Sequence, residues 1–475
     1  MFIFNTLTRQ KEEIKPIEGD TIRIYSCGLT VYDYAHIDNL RKYIFDDLLK
    51  RALIYFGYKV KHVMNITDVG HLTSDEDEGE DKIEKGATRE GKSAYEIAKF
   101  YEKAFVEDLK KLNILLADEM PRATENIKEQ IDLIKKLEEK GFTYKTSDGI
   151  YFDTSKLSDY GKLARLDIEN LKEGIRVEKN PEKKNPTDFA LWKLSVPKGG
   201  HPEAIAEGSP ANAGQSVIAS GAKQSRRQME WPSPWGVGFP GWHLECSAMS
   251  TKFLGQPFEI HTGGVDHIPV HHTNEIAQSE AAFDKPLAKY WVHSEHLLED
   301  GHKMAKSAGH FIRLQDLEEK GYSPLDFRYL CLSAKYRSKL DFSYKSLGAA
   351  KVARRKINDA YNLAKPSTTK LHPAGGVWSK GCDQALSDDL DTPRALAFIF
   401  DNLSKFSKEN FEKMDEVLAI LEKFTVPEEV EKLVADRQKA RDQKDFKKSD
   451  EIRSQIKKKG FLVEDSVGGT KIIRI

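Results

Sequence analysis

His271 and Glu275 stand four residues apart in HHTNEIAQSEAAF, and two cysteines, Cys27 and Cys246, lie upstream of them. On a helix that spacing puts both side chains on one face, about one turn apart. Imidazole and carboxylate so placed can grip one divalent ion, with Cys27 and Cys246 as thiolate partners. Each feature alone has a plainer reading. A His/Glu pair at this spacing is more often solvated, and a lone cysteine is usually a small buried apolar residue. Further along, GHKMAKSAGH carries Lys303 and Lys306, three apart and flanked by glycines. Ammonium groups suit phosphate oxygens, although most lysine-rich loops are only solvated surface. YDYAHIDNLRKY, with His36, Asp38 and Asn39, approaches a nucleotide-binding turn but holds a carboxylate where glycine is the usual choice.

The elements around these residues supply their context. RIYSC alternates like a short strand, Leu40–Tyr58 has apolar residues at helical spacing, and Lys59–Thr67 reads as a second strand. Strand, helix, strand in this order implies a parallel sheet with a ligand crevice at the strand C-termini. Cys27, Gly28 and His36 to Asn39 fall at that edge. The pattern returns at PGWHLECSAMS and FEIHTGGVDH, after a middle block of two helical segments and the hairpin FTYKTSDGIYFD. Asp148-Gly149 is the expected hairpin turn. Gly199–Ser225 is rich in Gly, Ala, Ser and Pro without a period and reads as a flexible surface insertion. From about Ser323 long helical patterns take over, and the chain ends in two strand-like pieces, GFLVEDS and GTKIIRI.

With 475 residues the chain has room for several domains and a large core. A formal charge of −1 marks no general affinity for nucleic acid or membrane, so any basic surface is local. Asp436–Lys459 is such a place, with ten Lys/Arg against five Asp/Glu. An ion-paired exposed helix and a nucleic-acid surface explain it about equally. No signal peptide or membrane span is expected, and four scattered cysteines without a CxxC pair fit a cytoplasmic, reducing compartment.

The order of these pieces resembles that of the cysteinyl-tRNA synthetases, a class I family, over nearly the whole chain. SCGLTVYDYAHIDN resembles the first signature and KMAKS the second, with PGWHLECSAM, HTGGVD, HHTNEIAQS and SDDLDTPRALA between and after them. DFKKSDEIRSQIKKKGF resembles the terminal tRNA-contacting module. The resemblance implies an α/β Rossmann-like catalytic domain with parallel sheet in two halves, 1–112 and 229–315. A connective insertion (113–228) would separate them; a stem-contact region and helical bundle (316–425) and a terminal module (426–475) would follow.

By position it also implies one Zn2+ held by Cys27, Cys246, His271 and Glu275, and Mg2+ entering with ATP. Gly28, Thr30, Thr67 and Trp242 would line the amino-acid pocket. His36, Asn39, Asp266 and Lys306 would bind ATP, with His36, Asn39, Lys303 and Lys306 stabilising phosphate charge. The implied partners are tRNA-Cys, L-cysteine and ATP, and the implied state a monomer. An apolar pocket separates cysteine from serine poorly, whereas a soft thiolate outcompetes a hydroxyl at zinc. Leu29, Asp38 and Ala305 depart from the family's proline, glycine and serine. Two other readings stand beside this one: a cysteine ligase of the mycothiol pathway, and a non-catalytic tRNA-binding paralogue impaired by Asp38. A zinc hydrolase fits less well, because Glu275 as a ligand leaves no evident general base.

Overall fold

Four strands form a parallel sheet whose C-terminal edge gathers most of the residues singled out above. They are β1 (Thr21–Ser26), β2 (Lys59–Met64), β3 (Phe258–Gly264) and β4 (Ala288–Ser294), in the spatial order β4-β3-β1-β2. The computed structural model describes residues 1–69, 82–166, 181–195, 227–299, 301–303, 311–366, 377–422, 427–466 and 469–474. The expected insertion at 199–225 and Lys306 lie outside the described residues.

The helix α1 (Ile37–Tyr55) connects β1 to β2, so the expected βαβ unit is present. It begins three residues before the apolar rhythm does, because His36 and Asn39 cap it reciprocally. The Asn39 amide donates to His36 Nδ1 at 3.4 Å, and the His36 amide donates to Asn39 Oδ1 at 3.3 Å. The second half of the sheet adds α2 (Trp242–Leu254), which precedes β3, and α3 (His271–Phe283), which precedes β4. Nearly all of β3 is buried, as expected for a strand covered on both faces. Its one acid near the base, Glu259, is paired: Arg23 Nε donates to it at 2.8 Å.

Between the two halves lies an antiparallel sheet of Thr143–Lys145, Gly149–Phe152, Phe189–Leu194 and Gly238–Pro240. Its hairpin differs by one residue from expectation. Ser147 and Asp148 form the turn, and Gly149 opens the returning strand. Glycine is needed there for closeness, since a Cβ would meet the Trp192 carbonyl oxygen at 2.2 Å.

Helices Pro324–Leu332, Tyr344–Leu363, Thr392–Asn402 and Lys408–Leu418 pack beyond the sheet. The last described segment pairs helices Glu428–Asp442 and Phe446–Lys458 with the hairpin Phe461–Ser466/Gly469–Arg474. It has its own apolar cluster of Val430, Ile452, Ile456, Phe461 and Val463. Among the described residues no helix is long and apolar enough to cross a membrane.

Candidate active site

The ends of the parallel strands open into a cleft of about 280 Å3. Cys27 and Gly28 follow β1 directly, Thr67 follows β2, and Gly264 ends β3. Past the sheet edge the chain stays tightly paired: Val31 donates to the Thr67 carbonyl at 3.1 Å, and Thr67 donates to that of Leu29 at 3.2 Å. Gly28 is pressed against this second segment, where a Cβ would sit only 1.6 Å from the Asn65 carbonyl oxygen. Its amide donates to Asn65 Oδ1 at 2.8 Å. A larger cleft of about 1440 Å3 lies between the C-terminal end of α1 and helix Lys408–Leu418, but among the described residues no thiol or imidazole lines it.

Cys27, Cys246, His271 and Glu275 converge behind the cleft, with one ligand atom of each within 4.8 Å of all the others. All four are buried. His271 Nε2 lies 2.9 Å from Glu275 Oε1, and Cys27 Sγ lies 3.7 Å from the same oxygen. The donor types fit zinc. With Zn–S near 2.3 Å and Zn–N or Zn–O near 2.1 Å, a tetrahedral ion spaces its ligand atoms about 3.4–3.8 Å apart, a separation the Cys27–Glu275 pair has and the closer His271–Glu275 pair would reach by opening about half an ångström. A second group, Cys27, His261, His272 and Glu275, is equally close. The first group reaches the cleft through Cys27, Cys246 and His271, the second through Cys27 alone.

Histidines back this cluster. His261 Nε2 is 2.8 Å from Glu275 Oε2, His243 Nδ1 is 3.0 Å from His271 Nδ1, and His272 Nε2 is 3.2 Å from Cys27 Sγ. Such partners fix the orientation of the donors they touch. The electrostatics favour one thiolate. Burial works to raise the Cys27 thiol, but the hydrogen bond with Cys246 and the imidazoles of His272 and His271 together bring it well below its ordinary value. Burial and the neighbouring Cys27 charge push Cys246 the other way. Burial disfavours charge on His271, yet Glu275 and Cys27 lift it to about 10.

Gly28, Thr30, Asn39, Thr67, Trp242 and Asp266 all line the cleft, so the structure brings the expected amino-acid residues and two of the four expected nucleotide residues to one place. The Trp242 ring lies 4.4 Å from that of His271. His36 is set back: it is buried, caps α1 and does not line the cleft. The backbone of Lys303 belongs to a short strand, His302–Lys303, paired with Leu297–Glu299. Sequence reasoning missed Lys42. It lines the cleft, and its ammonium donates to the Cys27 carbonyl at 2.6 Å. The available signal was its place three residues after Asn39 on one helix face.

Asp38 also lines the cleft. Its Oδ1 accepts a hydrogen bond from the Leu297 amide at 2.7 Å, and its Oδ2 lies 3.6 Å from His296 Nδ1. The carboxylate is therefore turned toward the segment that follows β4.

Residues 13–215 and 219–352 match the family described as tRNA synthetases class I (C) catalytic domain. Residues 425–472 match the cysteinyl-tRNA ligase anticodon binding domain. The chain belongs to the cysteinyl-tRNA synthetase family. It is 46% identical to cysteine–tRNA ligase 1 of Burkholderia lata, covering 99% of this chain and 96% of that one. It is 41% identical to the cysteine–tRNA ligase of Treponema denticola, with 98% of each covered. A solved structure of Mycobacterium tuberculosis methionyl-tRNA synthetase with methionyl-adenylate shares the fold, with a TM-score of 0.54, 12% identity and coverage of 85% and 89%. Within the cysteinyl-tRNA synthetase family, the match at 425–472 sets aside the mycothiol-pathway reading, which has no use for an anticodon-binding domain.

Proposed function

We infer that the chain is a cysteine–tRNA ligase, activating L-cysteine with Mg·ATP and passing it to tRNA-Cys. The observation that carries this is the meeting of Cys27, Cys246, His271 and Glu275 at the wall of the cleft that Thr67, Trp242 and Asp266 also line. These four would hold one zinc ion, which would supply a Lewis acid that prefers a thiolate to a hydroxyl. Thr67 and Trp242 shape the amino-acid side of the cleft, and Gly28 and Thr30 its floor. Asp266, on the same cleft, accepts hydrogen bonds from the ribose hydroxyls of ATP.

In the first step a carboxylate oxygen of cysteine bonds to the α-phosphorus of ATP as the bond to pyrophosphate breaks. In the second, a hydroxyl of the terminal tRNA ribose bonds to the acyl carbon and AMP departs with the electron pair. Neither step needs a covalent enzyme intermediate. The protein orients the reactants and offsets phosphate charge. Asn39 faces the nucleotide from the start of α1, with His36 setting that helix end, and Lys303 and Lys306 offset charge on the phosphates. The terminal module, 426–475, receives the tRNA.

The test is acylation of tRNA with cysteine against serine, before and after treatment with a zinc chelator. Cysteine-specific charging that the chelator abolishes is expected. Cysteine-dependent pyrophosphate exchange without tRNA charging contradicts the reading.

A further inference from the structure

The segment between β4 and the next strand, β5 (Leu297–Glu299), forms one wall of the cleft through Ser294, Glu295 and His296. It is held from one side by two residues of α1. Asp38 accepts from the Leu297 amide at 2.7 Å. One turn on, the Arg41 guanidinium donates to the His296 carbonyl, and its second arm to the Ser338 carbonyl at 2.5 Å. Leu297 is fully buried, and the acceptor of its amide is a side chain that lines the cleft, so loss of Asp38 removes the acceptor and opens the amide to water from the cleft. An amide that trades a fixed carboxylate for water loses a restraint on its backbone and exchanges faster. A glycine at this place has no side-chain acceptor to offer.

We propose that Asp38 is a positioning residue of the ATP site: by accepting from Leu297 it fixes the Ser294–Leu297 wall against the start of α1. This rests on the ligase reading above. The role belongs to the acceptor oxygen and not to the negative charge. His296 Nδ1, at 3.6 Å, is too far from the second oxygen for a hydrogen bond. The Arg41 guanidinium is directed to carbonyls instead of to Asp38. An acid in the first turn of a helix is moreover tolerated by the helix dipole, so the carboxylate carries little penalty where it stands.

The experiment compares Asp38→Gly, Asp38→Ala and Asp38→Asn with the unmodified chain in two assays. Hydrogen exchange of the peptide spanning residues 294–297 reads the wall directly, whether or not the enzyme is active. Cysteine-dependent pyrophosphate exchange reads its consequence. Asparagine keeps an acceptor at Oδ1, so Asp38→Asn retains slow exchange of the Leu297 amide and KM for ATP within about twofold of the unmodified enzyme. Gly and Ala lose the protection and raise KM for ATP about tenfold, the equivalent of one such bond, with KM for cysteine unchanged. Unchanged protection in both Gly and Ala variants overturns the proposal. A lower KM for ATP in Asp38→Gly also overturns it, because Asp38 would then be an obstruction. An Asp38→Asn variant as impaired as Asp38→Gly shifts the role to charge and overturns it as well. Absence of pyrophosphate exchange in the unmodified chain contradicts the ligase reading and leaves the hydrogen-exchange comparison to decide the positional role.

Discussion

Lys42 and Asp46 face each other one helical turn apart on α1, with Nζ 2.7 Å from Oδ2 and both side chains almost fully buried. Burial pushes the Asp46 carboxyl above its ordinary range, and Lys42 pulls it part of the way back. The same ammonium donates to the Cys27 carbonyl, so one buried cation serves both the helix and the strand end that presents Cys27. Breaking such a pair from one side leaves a charge without compensation. Lys42→Met is expected to cost about 3–5 kcal/mol in urea unfolding. Lys42→Met combined with Asp46→Leu should recover most of that loss, since replacing both partners leaves no buried charge. A double variant as unstable as the single one would show that packing, not charge, sets the cost.

The cluster of Cys27, Cys246, His271 and Glu275 makes a separate prediction about affinity. Metal analysis of the purified protein is expected to give about one zinc per chain, and Cys246→Ser to lose it or hold it weakly. His261 contacts Glu275 Oε2 and stacks on Trp291, with ring centroids 4.5 Å apart. His261→Phe keeps the ring but removes the nitrogen, so a competition titration should show zinc binding about 10–100-fold weaker. Equal affinity in His261→Phe would mean that Glu275 is oriented without it.

How far the sequence reaches can be judged from these residues. His271–Glu275 was legible because four residues on a helix make a fixed offset, and the helix has the span expected for it. The βαβ unit was legible from two strand-like runs around one amphipathic stretch. His261 and His293 were not, because their partners come from other elements: His293 reaches His272 at 2.8 Å and Thr6 at 2.8 Å. Asp38 is the extreme case. Its identity as a departure was plain, but its direction depends on an amide 259 residues away. Local periodicity carries no such information.

Asp68 yields a prediction for pH. Burial raises its carboxyl to about 6, against hydrogen bonds from the Thr124 amide at 2.9 Å and hydroxyl at 2.5 Å. The native state therefore binds this proton more tightly than the unfolded chain, whose carboxyl titrates near the ordinary value of 3.8. Its contribution to stability is full below about pH 4 and is lost as pH rises through about 6. The shift corresponds to about 3 kcal/mol at most. Asp68→Asn should flatten that part of the stability curve between pH 4 and 7, measured by urea unfolding at a series of pH values. An unchanged slope would exclude Asp68 as its source.

Arg328 joins three parts of the chain. Its Nη2 lies 2.5 Å from Asp47 Oδ2 on α1, its Nε donates to the Leu418 carbonyl at 2.7 Å, and its Nη1 to that of Leu112 at 3.0 Å. Arg328 and Asp47 are both inaccessible to solvent. Asp47 is also bound by Arg51, 2.8 Å away, and by the Leu115 amide at 2.8 Å. The carboxylate thus keeps partners when Arg328 is lost, whereas the two carbonyls are stranded. Arg328→Met is expected to destabilise the protein by about 3 kcal/mol, the lower end for a broken buried pair. Arg328→Lys should restore little of it, because one ammonium cannot span three acceptors that a planar guanidinium reaches in fixed directions. Urea unfolding of both variants checks this, and near-normal stability in Arg328→Lys would show that charge alone, without the fork geometry, holds the junction.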